Sequence, residues 1–135
     1  IAAGSGVRLN VEPHSGSLIE RPDAAMRMVG EAPGLTFTLD YSHFISRRIP
    51  QEQVHPLHAH TTHMHARQAK GGSGGCAMEE GTINFAQIIR QLTAARWDGV
   101  IAMELFGGVG AKEWKQHAVI QNVALAHQLA ALANP

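Results

Sequence analysis

The sequence predicts an α/β fold of parallel strands joined by crossover helices, and three observations predict it. Strand-like and helix-like segments alternate along the whole chain in the order β-α-β-α-β-α-β-α. No hairpin signal separates any two strand segments, so each return runs through a helix. The last strand segment, from Asp98 to Phe106, is apolar nearly throughout up to Glu104, as expected of a buried parallel strand.

Each element has a local reason. "GVRLNVEPHSG" places Val7, Leu9 and Val11 on alternate positions before a Pro/Gly/Ser loop, which reads as a strand over Gly6 to Glu12. "RPDAAMRMVGEAP" reads as a helix, with Pro22 in its first turn and Pro33-Gly34 stopping it. "LTFTLDYSHF", rich in β-branched and aromatic residues, is a second strand. "PQEQVHPLHAH" is short and mixed, helical in part and limited by Pro56. "TTHMHAR" is a third strand, followed by a glycine-rich loop over Gly71 to Gly75. "INFAQIIRQLTAARW" gathers Phe85, Ile88, Ile89 and Leu92 on one helical face, and these are core. "DGVIAMELF" is the fourth strand, and Lys112 to Ala133 closes the chain as a long helix. Four strands with four helices make half of a (β/α)8 barrel, which takes about 250 residues when complete. An open doubly wound sheet is the competing architecture, but no G-x-G-x-x-G follows the first strand.

Composition bounds the function. With 135 residues and no net charge, the chain is one modest domain without the basic surface that nucleic acid or an anionic membrane would call for. No apolar run approaches the roughly 20 residues of a membrane span. No charged leader with an apolar core is present. The single cysteine, Cys76, excludes an intramolecular disulfide and suits a reducing compartment, so a cytoplasmic location is expected. The chain starts at Ile1 and enters a strand almost at once, which suggests one partial barrel domain over residues 1–135, cut from a longer parent.

The strand ends carry the chemistry. The four strands finish in Glu12, Asp40, His65 and Glu104, separated by 28, 25 and 39 residues, each about one βα unit. In a parallel α/β fold all four gather at the carboxyl edge, where such folds keep their active sites. Two Glu, one Asp and one His converging there are costly to bury unpaired, and a divalent cation removes that cost. Hard oxygen with a single nitrogen suits Mn²⁺, Mg²⁺ or Co²⁺ and admits Zn²⁺. His63 shares a strand face with His65, two residues away and beside Arg67. It reads as a further ligand, a partner behind the ligands, or a packed imidazole.

In order along the chain, "NVEPHSG", "LDYSHF", "HMHAR", "EEGTINF" and "GVIAMEL" resemble the C-terminal half of the xylose isomerase-like TIM-barrel family. That family includes sugar isomerases and epimerases, keto-inositol dehydratases and endonuclease IV-type enzymes. The resemblance implies strands five to eight of a barrel, with one metal held by Glu12, Asp40, His65 and Glu104. It implies that His43, from the D-x-x-H Asp40-Tyr41-Ser42-His43, contacts substrate oxygens, with Arg67 as a second substrate contact. His14 stands in the loop where some epimerases carry another acidic residue, and joins the substrate-binding candidates. The implied reaction is isomerisation or epimerisation of a small keto sugar or polyol ketone by proton abstraction next to a carbonyl. Gly71 to Gly75 are followed by Cys76 and acidic residues and do not read as a phosphate-cradling loop opening a helix, so an unphosphorylated substrate is expected. Glu12 and Glu104 would be its catalytic acid and base.

Other readings stand beside these. The same scaffold supports a dehydratase. An endonuclease IV-like phosphodiesterase needs more metal ligands and a basic surface than the sequence offers. A half barrel without partner strands is inactive and exposes two sheet edges, so either a homo-oligomer or an N-terminal half of about 120 or more residues is expected. His55, His58 and His60 read as surface residues, Cys76 as incidental, and "GGSGG" as a flexible loop or an inserted linker.

Overall fold

The structure is a computed structural model and describes residues 3–104 and 112–133. Its strands are β1 (Leu9–Val11), β2 (Leu35–Asp40), β3 (Thr61–Ala66) and β4 (Val100–Met103). They form one sheet in the order β1-β2-β3-β4, and every pairing is parallel. Strand order following chain order, without reversal, is the winding of a barrel and has no switch point of the doubly wound kind. The helices are α1 (Pro22–Glu31), α2 (Tyr41–Ser46), α3 (Gln51–Val54), α4 (Phe85–Ala94) and α5 (Lys112–Ala133), with a 3-10 helix over His55–His60. The expected continuation of the fourth strand to Phe106 lies outside the described residues.

Alternation along the strands separates two faces. Phe37, Leu39, Met64 and Ala66 are buried on the face that meets the helices, joined there by Ile88, Ile89 and Leu92 of α4. Phe85, Ile88, Ile89 and Leu92 are all buried, as their helical spacing predicts. The opposite face is polar. It carries Asn10, Thr36, Thr38, Thr62, His63 and His65, all half-buried. The hydroxyls of Thr36 and Thr62 both donate to Asn10 Oδ1, which links three strands through one side-chain oxygen. A register shift at Phe37/Thr38 lets Thr62 and His63 both serve this face.

The expectation of a strand covered on both sides fails for β4. Val100 is 61% exposed, because its face looks onto the polar side and no strand pairs beyond it among the described residues. Leu9, on the opposite edge, is 58% exposed.

Three other expectations need correction. The second strand does not run on to Phe44. Asp40 is its last residue and caps α2, its Oδ1 accepting the Ser42 backbone N–H at 2.7 Å. Aromatic and β-branched residues after Asp40 suggest a strand by propensity, and the cap decides otherwise. The glycine loop is not slack: Lys70 and Ser73 exchange backbone hydrogen bonds of 3.1 and 2.9 Å. Gly72, at φ +86°, closes this turn and donates its N–H to Ser46 O at 2.8 Å.

Nor are His55, His58 and His60 surface residues; all three are half-buried. The Tyr41 hydroxyl bonds both His55 Nδ1 at 2.7 Å and His58 Nε2 at 2.6 Å. Since a phenol has one proton, it donates to one imidazole and accepts an N–H from the other. This ties α2 to the 3-10 helix across the buried layer. Burial pushes the His58 pKa from 6.5 down to about 4 and lowers that of His55.

A folded-state value below the unfolded one means that the unfolded chain binds the extra proton first. The contribution of His58 is therefore complete above pH 6.5 and is lost as pH falls from there towards about 4. The melting temperature should drop between pH 7 and pH 5, and the drop should be smaller in His58→Gln. Equal drops in the two proteins, measured by circular dichroism, would remove this account.

Candidate metal centre

Strand ends build the site. Glu12 follows β1, Asp40 ends β2, His65 stands one residue before the end of β3, and Glu104 follows β4. Asp40 pairs with His65 in register, which sets those two side chains next to each other on the polar face. The Glu104 backbone N–H donates to Ala66 O at 3.1 Å, extending the β3–β4 pairing by one residue and aiming Glu104 at the same place. One donor atom from each of Glu12, Asp40, His65 and Glu104 lies within 4.8 Å of the other three. His65 Nδ1 approaches Glu12 Oε1 at 3.2 Å and Glu104 Oε2 at 3.4 Å.

The donor chemistry fits a divalent cation. Three carboxylates and one imidazole converge, and the buried oxygens Asp40 Oδ2 and Glu104 Oε2 share one guanidinium, that of Arg67. Three gathered carboxylates against one fixed cation are costly to keep ionised, and a divalent ion removes that cost. When bound, a divalent cation would supply charge neutralisation and Lewis acidity. His63 is outside this set; its ring packs edge-on against His65, with centroids 5.5 Å apart.

His43 and Arg67 frame the centre. His43 is buried on α2, with Nε2 3.4 Å from Glu12 Oε1 and 3.8 Å from Asp40 Oδ2. Exposed His14 packs its ring on His43 at 4.1 Å, so the two imidazoles form one wall. Arg67 is only 7% exposed and points inwards. Its Nε donates to Ser42 Oγ at 2.8 Å, while its terminal nitrogens lie 2.7 Å from Asp40 Oδ2 and 3.4 Å from Glu104 Oε2. Sequence reasoning missed Ser42, although it sits inside the D-x-x-H that drew attention to its neighbours.

The two glutamates differ electrostatically. Hydrogen bonding to His43 holds Glu12 below its ordinary value, against the opposing effect of burial. Burial pushes Glu104 above its own, with Arg67 opposing.

Four parallel β/α units wound in chain order, with a candidate site at their carboxyl edge, place the chain among barrel-type α/β proteins. The chain belongs to the xylose isomerase-like TIM-barrel family, whose profile matches residues 1–124. No curated protein matches the chain in sequence. Among solved structures it resembles a D-tagatose 3-epimerase-like protein, with a TM-score of 0.73 at 22% identity over 98% of this chain and 50% of that one. The probable 3-DHS dehydratase AsbF of Bacillus anthracis gives 0.67 at 19% identity, covering 92% of this chain and 51% of that one. A xylose isomerase-like protein from Mycobacterium smegmatis, solved with magnesium, gives 0.66 at 17% identity over 95% and 47%. The chain thus spans about half the length of these structures, and the likeness supports a half barrel.

Because burial raises Glu104, its ionised form costs stability in the metal-free protein at neutral pH. Glu104→Gln should raise the metal-free melting temperature and abolish the rise that Mn²⁺ produces in the wild type. A variant that melts lower, or still responds to Mn²⁺, would contradict the geometry.

Proposed function

We propose that the chain is the metal-holding half of a divalent-metal-dependent isomerase or epimerase acting on a small keto sugar or related polyol ketone. The observation that supports it best is the convergence of Glu12, Asp40, His65 and Glu104 within 4.8 Å. Mn²⁺, Mg²⁺ or Co²⁺ is favoured by that oxygen-rich set, with Zn²⁺ admitted. A cation held by these four residues would supply Lewis acidity to the carbonyl and the adjacent hydroxyl. The chain does the rest. Glu12 and Glu104 come from opposite edges of the sheet, so one can remove a proton from the carbon beside the carbonyl and the other can return one. His43 and His14 line the Glu12 side and would hold substrate hydroxyls, where orientation lowers the barrier. Arg67 would reach substrate only by leaving part of its present contacts.

A dehydratase is the second reading, because one of the similar folds is described as a probable dehydratase. There the same proton abstraction ends in loss of a β-hydroxyl. Nucleic acid is not an expected substrate for a chain without net charge.

We also propose that the polar face is closed by a second set of four β/α units, on the same polypeptide or in another copy. Val7, Leu9 and Val100 stand exposed at the two open edges, and unpaired edges invite pairing. The 135-residue chain alone should therefore self-associate. A monodisperse, cooperatively melting monomer at high dilution, seen by sedimentation, would argue against closure.

The reaction is tested by solvent exchange. With Mn²⁺ and a keto sugar in heavy water, the complete barrel should place deuterium on the carbon next to the carbonyl, and Glu104→Gln should stop it. Turnover with no exchange would favour a hydride shift over proton abstraction. Cleavage of abasic DNA in place of sugar turnover would favour the phosphodiesterase.

A further inference from the structure

Arg67 and Asp40 are the buried, formally charged residues among the described ones, and they touch each other at 2.7 Å. The ion pairs of the other Arg and Lys residues among the described ones, such as Arg27–Asp23 and Lys70–Glu80, sit on the surface. Arg67 approaches Asp40 Oδ2 and Glu104 Oε2, two buried oxygens of the candidate ligands. Asp40 Oδ1 is committed to the cap of α2, so Oδ2 is the Asp40 oxygen left to face a cation. The guanidinium is held from behind by Ser42 Oγ, which fixes the fork against these carboxylates.

Charge counting gives this placement a meaning. Glu12, Asp40 and Glu104 bring three negative charges, Arg67 brings one positive, and a divalent ion brings the total to zero. Without Arg67 the loaded centre would keep one negative charge, and an incoming cation would meet no fixed positive charge at contact distance from its ligands. Repulsion between a fixed cation and an incoming one is large where water is excluded.

Resting on the metal-centre reading above, we propose that Arg67 is a resident counter-charge that sets metal affinity. It stabilises the ligand carboxylates in the metal-free protein and weakens cation binding by repulsion. It is a positioning and charge-setting residue, distinct from one whose purpose is substrate contact. Two physical pictures are thereby separated. If Arg67 acted mainly by orienting Asp40, losing it would weaken metal binding. If it acts by charge, losing it strengthens binding.

The experiment is Mn²⁺ titration of the wild type, Arg67→Gln and Arg67→Lys, read by electron paramagnetic resonance of free Mn²⁺. Arg67→Gln should bind more tightly by at least about tenfold, and Arg67→Lys should stay within about threefold of wild type. Arg67→Gln binding equally or less tightly than wild type overturns the proposal. Wild type that binds no Mn²⁺ overturns the metal-centre reading and this inference with it, whereas a binding wild type confines failure to Arg67. A second readout uses intact wild type, in case the Gln variant does not fold. Adding diamagnetic Mg²⁺ should shift the Arg67 Nε–Hε signal in nitrogen-15 spectra, assigned by its loss in Arg67→Lys. An Arg67 signal unmoved at saturating Mg²⁺ overturns the proposal.

Discussion

Like charges brought together at the rim of a sheet are the constraint on which this structure depends. Parallel strands in chain order deliver Glu12, Asp40 and Glu104 to one edge, and nothing about backbone pairing spares them from one another. The surrounding structure is arranged around that repulsion. Arg67 is drawn out of solvent to meet two of the carboxylates, and His43 and His65 stand beside Glu12. Ser42 holds the guanidinium in place. Even the helix after β2 is involved, since its first turn supplies both Ser42 and His43.

Much of the architecture was legible because it rests on periodicity. The apolar spacing of α4, the alternation in β1 and β3, and the absence of hairpin turns each have one structural solution. The convergence of Glu12, Asp40, His65 and Glu104 was legible for the same reason: one titratable side chain at each strand end is a positional pattern. What sequence reasoning missed depended on contacts between segments far apart in the chain. Tyr41, His55 and His58 meet through one phenol oxygen, and no local signal in "HPLHAH" announces a partner fourteen residues earlier. Arg67 was noticed as a cation near the site, but its burial against Asp40 follows from the depth of the strand end, which spacing does not reveal. The glycine loop misled in the opposite direction. Composition suggested slack, whereas one positive-φ glycine and a bond to Ser46 make it a docked turn.

The two faces of the sheet explain the chain's uneven finish. Its helix-facing side is packed with Phe37, Leu39 and Met64 like any domain interior. Its other side holds threonines, an asparagine and histidines. In a closed barrel that face lines the interior, where polar side chains hydrogen-bond across the axis. Here Asn10 already collects two hydroxyls from neighbouring strands, a small network ready to be extended by strands on the far side.

Asp40 divides its two oxygens between two tasks, one holding the first turn of α2 and the other turned to the charged centre. Asparagine there could still accept the Ser42 N–H, but it would bring no charge to the buried Arg67 guanidinium 2.7 Å away. Glutamate, one methylene longer, would disturb both tasks at once. A single carboxylate thus ties a helix terminus to a buried ion pair, so the start of α2 and the charge balance at the sheet rim cannot be altered independently at this position.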